Sequence, residues 1–241
     1  MWPCTCSNWP TGLGSIWSRL SWTNWKRTTI AAGNLPTRRR PPDPIGPAGP
    51  QGQSRCRRSS MSSLHTVAVF GSSGPGPGDP TYEQAYRLGR LLGQRGLTVL
   101  TGGYIGTMEA VSKGVVEAGG HSVGVTCEAI ERWRPVAPNP WVQEEWRAAT
   151  LIERLRLLVT RAEAAIALPG GPGTLTEIAL FWNHLVIQAI PPRPLVLIGE
   201  GWRRTFETFF AAQQAHVHEA ARQLLHFAAD EAQAVHLLGL G

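Results

Sequence analysis

From residue 61 onward the chain alternates between short apolar runs and stretches with a helical period. The runs His65 to Phe70, Leu97 to Thr101, His121 to Val125, Ala164 to Leu168 and Leu195 to Ile198 are nearly continuous in apolar residues, which predicts strands buried on both faces. Between them, Tyr82, Ala85, Tyr86, Gly89 and Leu92 form one helical face, with Asp79 as N-cap and Pro80 at the first helical position. Met108, Val111, Val115 and Ala118 form a second, closed by Gly119 and Gly120. Leu151, Leu155, Leu158 and Ala162 form a third; Leu175, Ile178, Ala179, Trp182, Leu185, Val186 and Ala189 form the fourth and widest. Trp202 to Gln214 and Asp230 to Leu238 read as later helices. This alternation predicts a three-layer α/β fold, with one parallel sheet, right-handed crossovers and helices on both faces. In such sheets ligands bind at the carboxyl ends of the strands, so the chemistry is sought in the loops that follow them.

Three of those loops are rich in glycine: Gly71, Ser72, Ser73, Gly74 after the first run; Gly102, Gly103 and Gly106 after the second; and Pro169, Gly170, Gly171, Pro172, Gly173, Thr174 after the fourth. Glycine lets backbone amides approach a ligand and a helix N-terminus adds donors, a combination suited to phosphate. One such loop only ends a strand; three at one sheet edge favour an anion site. No G-x-G-x-x-G opens a helix and no G-x-x-x-x-G-K-[ST] occurs, which excludes an ordinary dinucleotide site and a P-loop. Residues 61 to 241 hold a single lysine, Lys113, inside a helix, leaving little room for pyridoxal phosphate chemistry.

Charge divides the chain at Met61. Residues 1 to 60 contain nine Lys and Arg and one acid, Asp43, for +8; the remaining 181 contain 14 Lys and Arg against 16 Asp and Glu, for −2. The basic total therefore belongs to the leading segment, and the near-neutral remainder carries no implied nucleic-acid partner. Five of the ten Trp lie in the first 25 positions without any period, and eight of the twelve residues from Pro41 to Gly52 are Pro or Gly. Residues 1 to 60 are expected to be disordered or a non-native leader, with Met61 the native start and residues 61 to 241 one α/β domain. Cys4, Cys6 and Cys56 precede that domain and only Cys127 lies in it, so neither a disulfide framework nor zinc spacing is present and a cytoplasmic location is expected. No apolar run reaches the length of a membrane span.

Two charged residues stand out. Glu177 lies opposite the Leu175, Ile178, Trp182 stripe, beside Thr174, Leu180, Phe181 and His184. Thr174-x-x-Glu177 fits a capping box; the alternative is a carboxylate one turn from the phosphate loop, against a wall or subunit contact. Arg154 borders the third helix's apolar face, in a column with Arg147 and Arg161. Such a column is usually a solvated edge, whereas a guanidinium reaching over the sheet end would suit phosphate or Glu177. Spacing leaves both readings open.

The stretch ALPGGPGTLTEI at residues 167 to 178 resembles the P-G-G-x-G-T-x-x-E signature of the LOG (Lonely Guy) family, cytokinin riboside 5'-monophosphate phosphoribohydrolases long mislabelled lysine decarboxylases. FGSSGPGPGDPTYEQAYRLGRLLGQRG, TGGYIGTMEAVSKGVVEAGG and ERLRLLVTRAEAAIALPGG are similar to the family's first loop and helix, its second, and its arginine-bearing helix; the likeness spans residues 65 to 200. The family's His-x-Arg-Lys is replaced by Ile152, Glu153, Arg154, Leu155, and Glu109 stands where plant-type members have glycine. The resemblance implies a nucleotide-binding domain of Rossmann-like α/β fold, a homodimer, no cofactor or metal, and a small purine nucleotide as substrate. It makes Arg154 and Glu177 the catalytic pair, and Ser72, Ser73, Gly102, Gly103, Gly170, Gly171, Gly173 and Thr174 the phosphate site. Leu180, Phe181 and His184 would then supply an isologous contact. The rival readings are a nucleotide or molybdenum-cofactor carrier of the same fold and a DNA-processing protein, the latter disfavoured by the −2 charge.

Overall fold

The computed structural model describes residues 64 to 240; the expectations for residues 1 to 60 lie outside these. The elements run β1 (Thr66–Phe70), α1 (Pro80–Gly93), β2 (Thr98–Thr101), α2 (Thr107–Glu117), β3 (His121–Cys127), α3 (Glu128–Trp133), β4 (Glu144–Ala148) and α4 (Leu151–Arg161). They continue with β5 (Ala164–Ala167), α5 (Pro172–Val186), β6 (Leu195–Ile198), α6 (Glu200–Ala212), α7 (Glu219–Arg222), β7 (Leu225–Ala228) and α8 (Glu231–Leu237). All seven strands pair in parallel, in the order β4-β3-β2-β1-β5-β6-β7. This is the three-layer α/β architecture that the alternation predicts.

Successive strand residues point to opposite faces, and the core divides accordingly. Val67, Val99, Ile166 and Val196 pack with α1, α2 and α8 on one face. Ala68, Leu100, Ala165 and Leu197 pack with α4, α5 and α6 on the other. Asp79 caps α1, accepting from the Thr81 amide at 2.7 Å, with Pro80 inside the first turn. On the first face α1 and α2 touch backbone to backbone: a Cβ on Gly89 would overlap the Val111 carbonyl, and one on Gly114 the Tyr86 carbonyl.

The edge strands β4 and β7 and the short helices α3 and α7 are additions to the sequence reading. The β4 residues Glu144, Glu145 and Arg147 are exposed, because an edge strand with one covered face need not be apolar. The third and fourth helical stripes also turn relative to expectation. Leu151 and Leu175 are exposed, while Arg154 on α4 and Thr174, Glu177 and Phe181 on α5 are buried. Polar residues have displaced apolar ones on the faces that meet at the sheet's carboxyl edge.

Candidate functional site

Chain order reverses direction in the sheet between β1 and β5. Their following loops diverge there and open a crevice, the position at which α/β sheets take ligands. A cavity of about 450 Å³ occupies it, within the range of small-molecule sites. Ser72, Ser73, Gly102, Gly171, Gly173 and Thr174 line this cavity together with Arg154 and Glu177. Gly103 and Gly170 stand outside the lining. The Gly103 amide donates to Thr101 Oγ1 at 3.1 Å and its carbonyl accepts from the Asn139 amide at 2.8 Å, so both polar groups are engaged. Gly170 packs against Thr174, whose Oγ1 a Cβ would overlap.

Each lining loop has a local reason for its course. The β1 loop is pinned at the Ser72 carbonyl, which accepts from the Thr107 amide at 2.9 Å and from Thr107 Oγ1 at 3.0 Å. Helix α5 starts at Pro172 behind the N-cap Gly171, with no side-chain cap. Its first-turn amides and dipole end therefore face the cavity, available to an anion. Because Gly171 is the N-cap, Thr174 is the third helical residue and Glu177 lies beyond the first turn, so the two form no capping box. The capping box forms instead between Thr150 and Glu153 at the start of α4, and it sets the register that turns Arg154 inward.

Arg154 and Glu177 are each 7% exposed. Arg154 Nε donates to the Val125 carbonyl at 2.8 Å, anchoring the guanidinium on the end of β3. Its Nη1 lies 3.4 Å from Glu177 Oε1. Gly102 makes the space, since a Cβ there would overlap Arg154 Nη2 and crowd Met108 Sδ. The expected column of arginines does not exist: Arg147 is on β4, paired with Glu131 and Glu128, and Arg161 is exposed. Arg154 is thus a buried side chain and not a helix edge. Phe181 is also buried, its ring 6.4 Å from that of Phe70, which removes it from the expected subunit contact; Leu180 and His184 are half-buried.

Burial pushes the Glu177 carboxyl up to about 7, with Arg154 offsetting part of the effect. A carboxyl poised near neutral pH between ionised and neutral forms is suited to moving protons. Loss of solvent outweighs the guanidinium because the pair makes one long contact where a bidentate fork would make two short ones.

The cavity also takes in Tyr104, Met108, Ile130, Trp133 and Arg134, which the motif reading did not reach. Tyr104 accepts from the Cys127 amide at 2.8 Å and lies 3.2 Å from Glu131. Burial is the main cause that drives its phenol up to about 12, so it serves as a hydrogen-bonding hydroxyl. Lys113 sits over the rings of Tyr86 and Trp141, 5.6 and 5.7 Å from their centres, and does not line the cavity. Among the described residues no cluster of His, Cys, Asp and Glu is placed to hold a metal, and no helix is long and apolar enough to cross a membrane.

Known proteins can be set beside this geometry. A family described as possible lysine decarboxylase matches residues 108–238. The cytokinin riboside 5'-monophosphate phosphoribohydrolase LOG of Oryza sativa is 32% identical over 170 residues, covering 68% of this chain and 68% of its own. The pyrimidine/purine nucleotide 5'-monophosphate nucleosidase of Escherichia coli is 32% identical over 166 residues, covering 64% of this chain, which spans only 36% of that longer protein. In structure, the molybdenum cofactor binding protein of Rippkaea orientalis superposes with a TM-score of 0.58 at 22% identity, over 75% of this chain and 98% of its own, a likeness of fold. With the signature at the start of α5, the cavity at the switch point and these matches, the chain belongs to the LOG family, the group described as possible lysine decarboxylases.

Proposed function

We propose that the protein hydrolyses the N-glycosidic bond of an adenosine 5'-monophosphate, plain or of the cytokinin type substituted on its exocyclic amine, releasing free base and ribose 5-phosphate. The observation that carries this reading is the buried Arg154 and Glu177 pair in a cavity flanked by the start of α5. The phosphate is held by the first-turn amides of α5 with Gly171, Gly173 and Thr174, and by Ser72 and Ser73, so that binding energy remote from the bond orients the sugar. Cleavage passes through an oxocarbenium-like sugar. The ionised Glu177 stabilises that cation and takes a proton from the attacking water, whose oxygen bonds to C1' as the glycosidic electron pair leaves with the base. The departing base nitrogen takes up a proton in turn, and Glu177 gives up the one it accepted, so that the carboxylate is restored. Arg154 positions the carboxylate and keeps a fraction of it ionised near neutral pH.

A nucleotide or molybdenum-cofactor carrier would use the same loops, but it gives no reason for a desolvated carboxylate facing an anionic ligand, where it weakens binding. The reading includes a homodimer, with Leu180 and His184 as the remaining candidates for the contact; a single-chain mass by light scattering would remove that part. The test of the activity is chromatographic, with AMP and isopentenyl-AMP as substrates. Equal amounts of base and ribose 5-phosphate are expected, and nucleotide returned intact would refute the reading.

A further inference from the structure

The segment after β3 brings to the cavity two side chains that belong to no glycine loop and no signature. Trp133 is 80% exposed and Arg134 half-buried, both on the lining. Arg134 Nε is buried without a hydrogen-bond partner, and among the described residues no carboxylate pairs with its guanidinium. A buried charged donor left unpaired is costly, and a ligand acceptor would remove that cost.

Several contacts hold the helix that carries them. Arg147 of β4 holds α3 at two points, 2.6 Å from Glu131 and 3.6 Å from Glu128. The Tyr104 hydroxyl, 3.2 Å from Glu131, ties the same helix to the sheet. The Arg134 amide donates to the Ile130 carbonyl at 2.8 Å and its backbone turns extended, so α3 stops there.

Position in the sheet gives the role. The phosphate end of the cavity follows β1 and β5, whereas α3 follows β3, three strand spacings from β5, or about 14 Å. The Arg154 and Glu177 pair lies between, spanning from β3 to α5. A nucleotide with its phosphate at α5 and its sugar over Glu177 directs its base toward α3.

We propose that Trp133 and Arg134 are the base-recognising residues, the indole stacking on a purine ring and the guanidinium donating to N7. This rests on the nucleotide orientation given above. A guanidinium only donates, and N7 is the acceptor that adenine and guanine share on their major-groove edge, without counterpart in a pyrimidine. A stacked indole accepts any base face, so Arg134 sets the purine preference.

The experiment is calorimetric titration of AMP and 7-deaza-AMP, which lacks the N7 acceptor, into the full chain carrying Glu177→Gln so that AMP survives. We expect about 10- to 100-fold weaker binding of 7-deaza-AMP, the worth of a hydrogen bond to a charged group. Adding Arg134→Ala should abolish the difference between the two nucleotides, and Trp133→Ala should weaken both ligands equally, by about 10-fold. Equal binding of the two nucleotides before Arg134 is changed, or discrimination that survives Arg134→Ala, overturns the assignment. Base release by the unsubstituted chain is scored separately. Discrimination without base release would sink the hydrolase reading and leave this assignment standing; base release without discrimination would do the reverse, and absence of both nucleotide binding and base release would overturn both.

Discussion

Replacing Glu177 with Gln is expected to stabilise the protein at alkaline pH. The folded state holds this carboxyl at about 7 against an ordinary 4.5, because burial removes solvent from the charge. A group whose folded pKa is raised contributes stability that is complete below 4.5 and is lost as pH climbs through 7, since the native state there binds the extra proton. That interval, at 1.36 kcal/mol per pH unit, amounts to about 3 kcal/mol lost by pH 8. Gln keeps the shape and never ionises, so the variant escapes the loss. Parent and Glu177→Gln should unfold at similar urea concentrations at pH 4, then diverge until the variant is about 3 kcal/mol more stable at pH 8. By melting, that is roughly 6 to 12 °C for a domain of this size. All other titrating groups are common to both chains and cancel in the difference. Stability curves that stay parallel from pH 4 to 8 would refute the claim that Glu177 is a desolvated carboxyl, and with it the physical basis of the site.

Three further outcomes follow from the same geometry. Arg154→Ala removes the guanidinium that offsets burial and the bond to the Val125 carbonyl; it should raise the Glu177 pKa further, move the rise of base release to higher pH, and cost about 1 to 3 kcal/mol, limited because the carboxyl takes up a proton instead of remaining a buried charge. Gly102→Ala puts a methyl group where Arg154 Nη2 now lies, so turnover should fall at least about 10-fold while the melting temperature drops by only a few degrees; parent-like turnover would show that the guanidinium position is immaterial. Deleting residues 1 to 60, which carry no periodic apolar face, should leave melting and turnover unchanged, and loss of folding would place the domain boundary elsewhere.

The elements legible in sequence were those whose burial is two-sided and apolar. Val67 to Phe70 and Leu195 to Ile198 read as strands because both faces are covered, and α1 announced itself through Asp79 and Pro80. β4 did not, since only one face of Glu144–Ala148 is sheltered. The site misled in the opposite direction. Arg154 and Glu177 occupy core-facing positions that binary patterning assigns to apolar residues, so periodicity placed Glu177 opposite the apolar stripe of its helix and left Arg154 at the border of its own. Such violations of local consistency gather at functional sites, and here both residues line the cavity. The P-G-G-x-G-T-x-x-E signature made Glu177 a candidate and the likeness of the arginine-bearing helix did so for Arg154, because a signature follows spacing and not burial. Trp133 and Arg134 had no signature; the available signal was a Trp in the polar stretch Glu131 to Arg134, which no apolar stripe claims.

The most direct test of the account compares base release from AMP by the parent and by Glu177→Gln at pH 8, with AMP binding and melting measured on the same samples. The account predicts a variant that is folded, more stable and still binds AMP, yet releases base about 10² to 10⁴ times more slowly. A folded variant that turns over AMP at the parent's rate would contradict it.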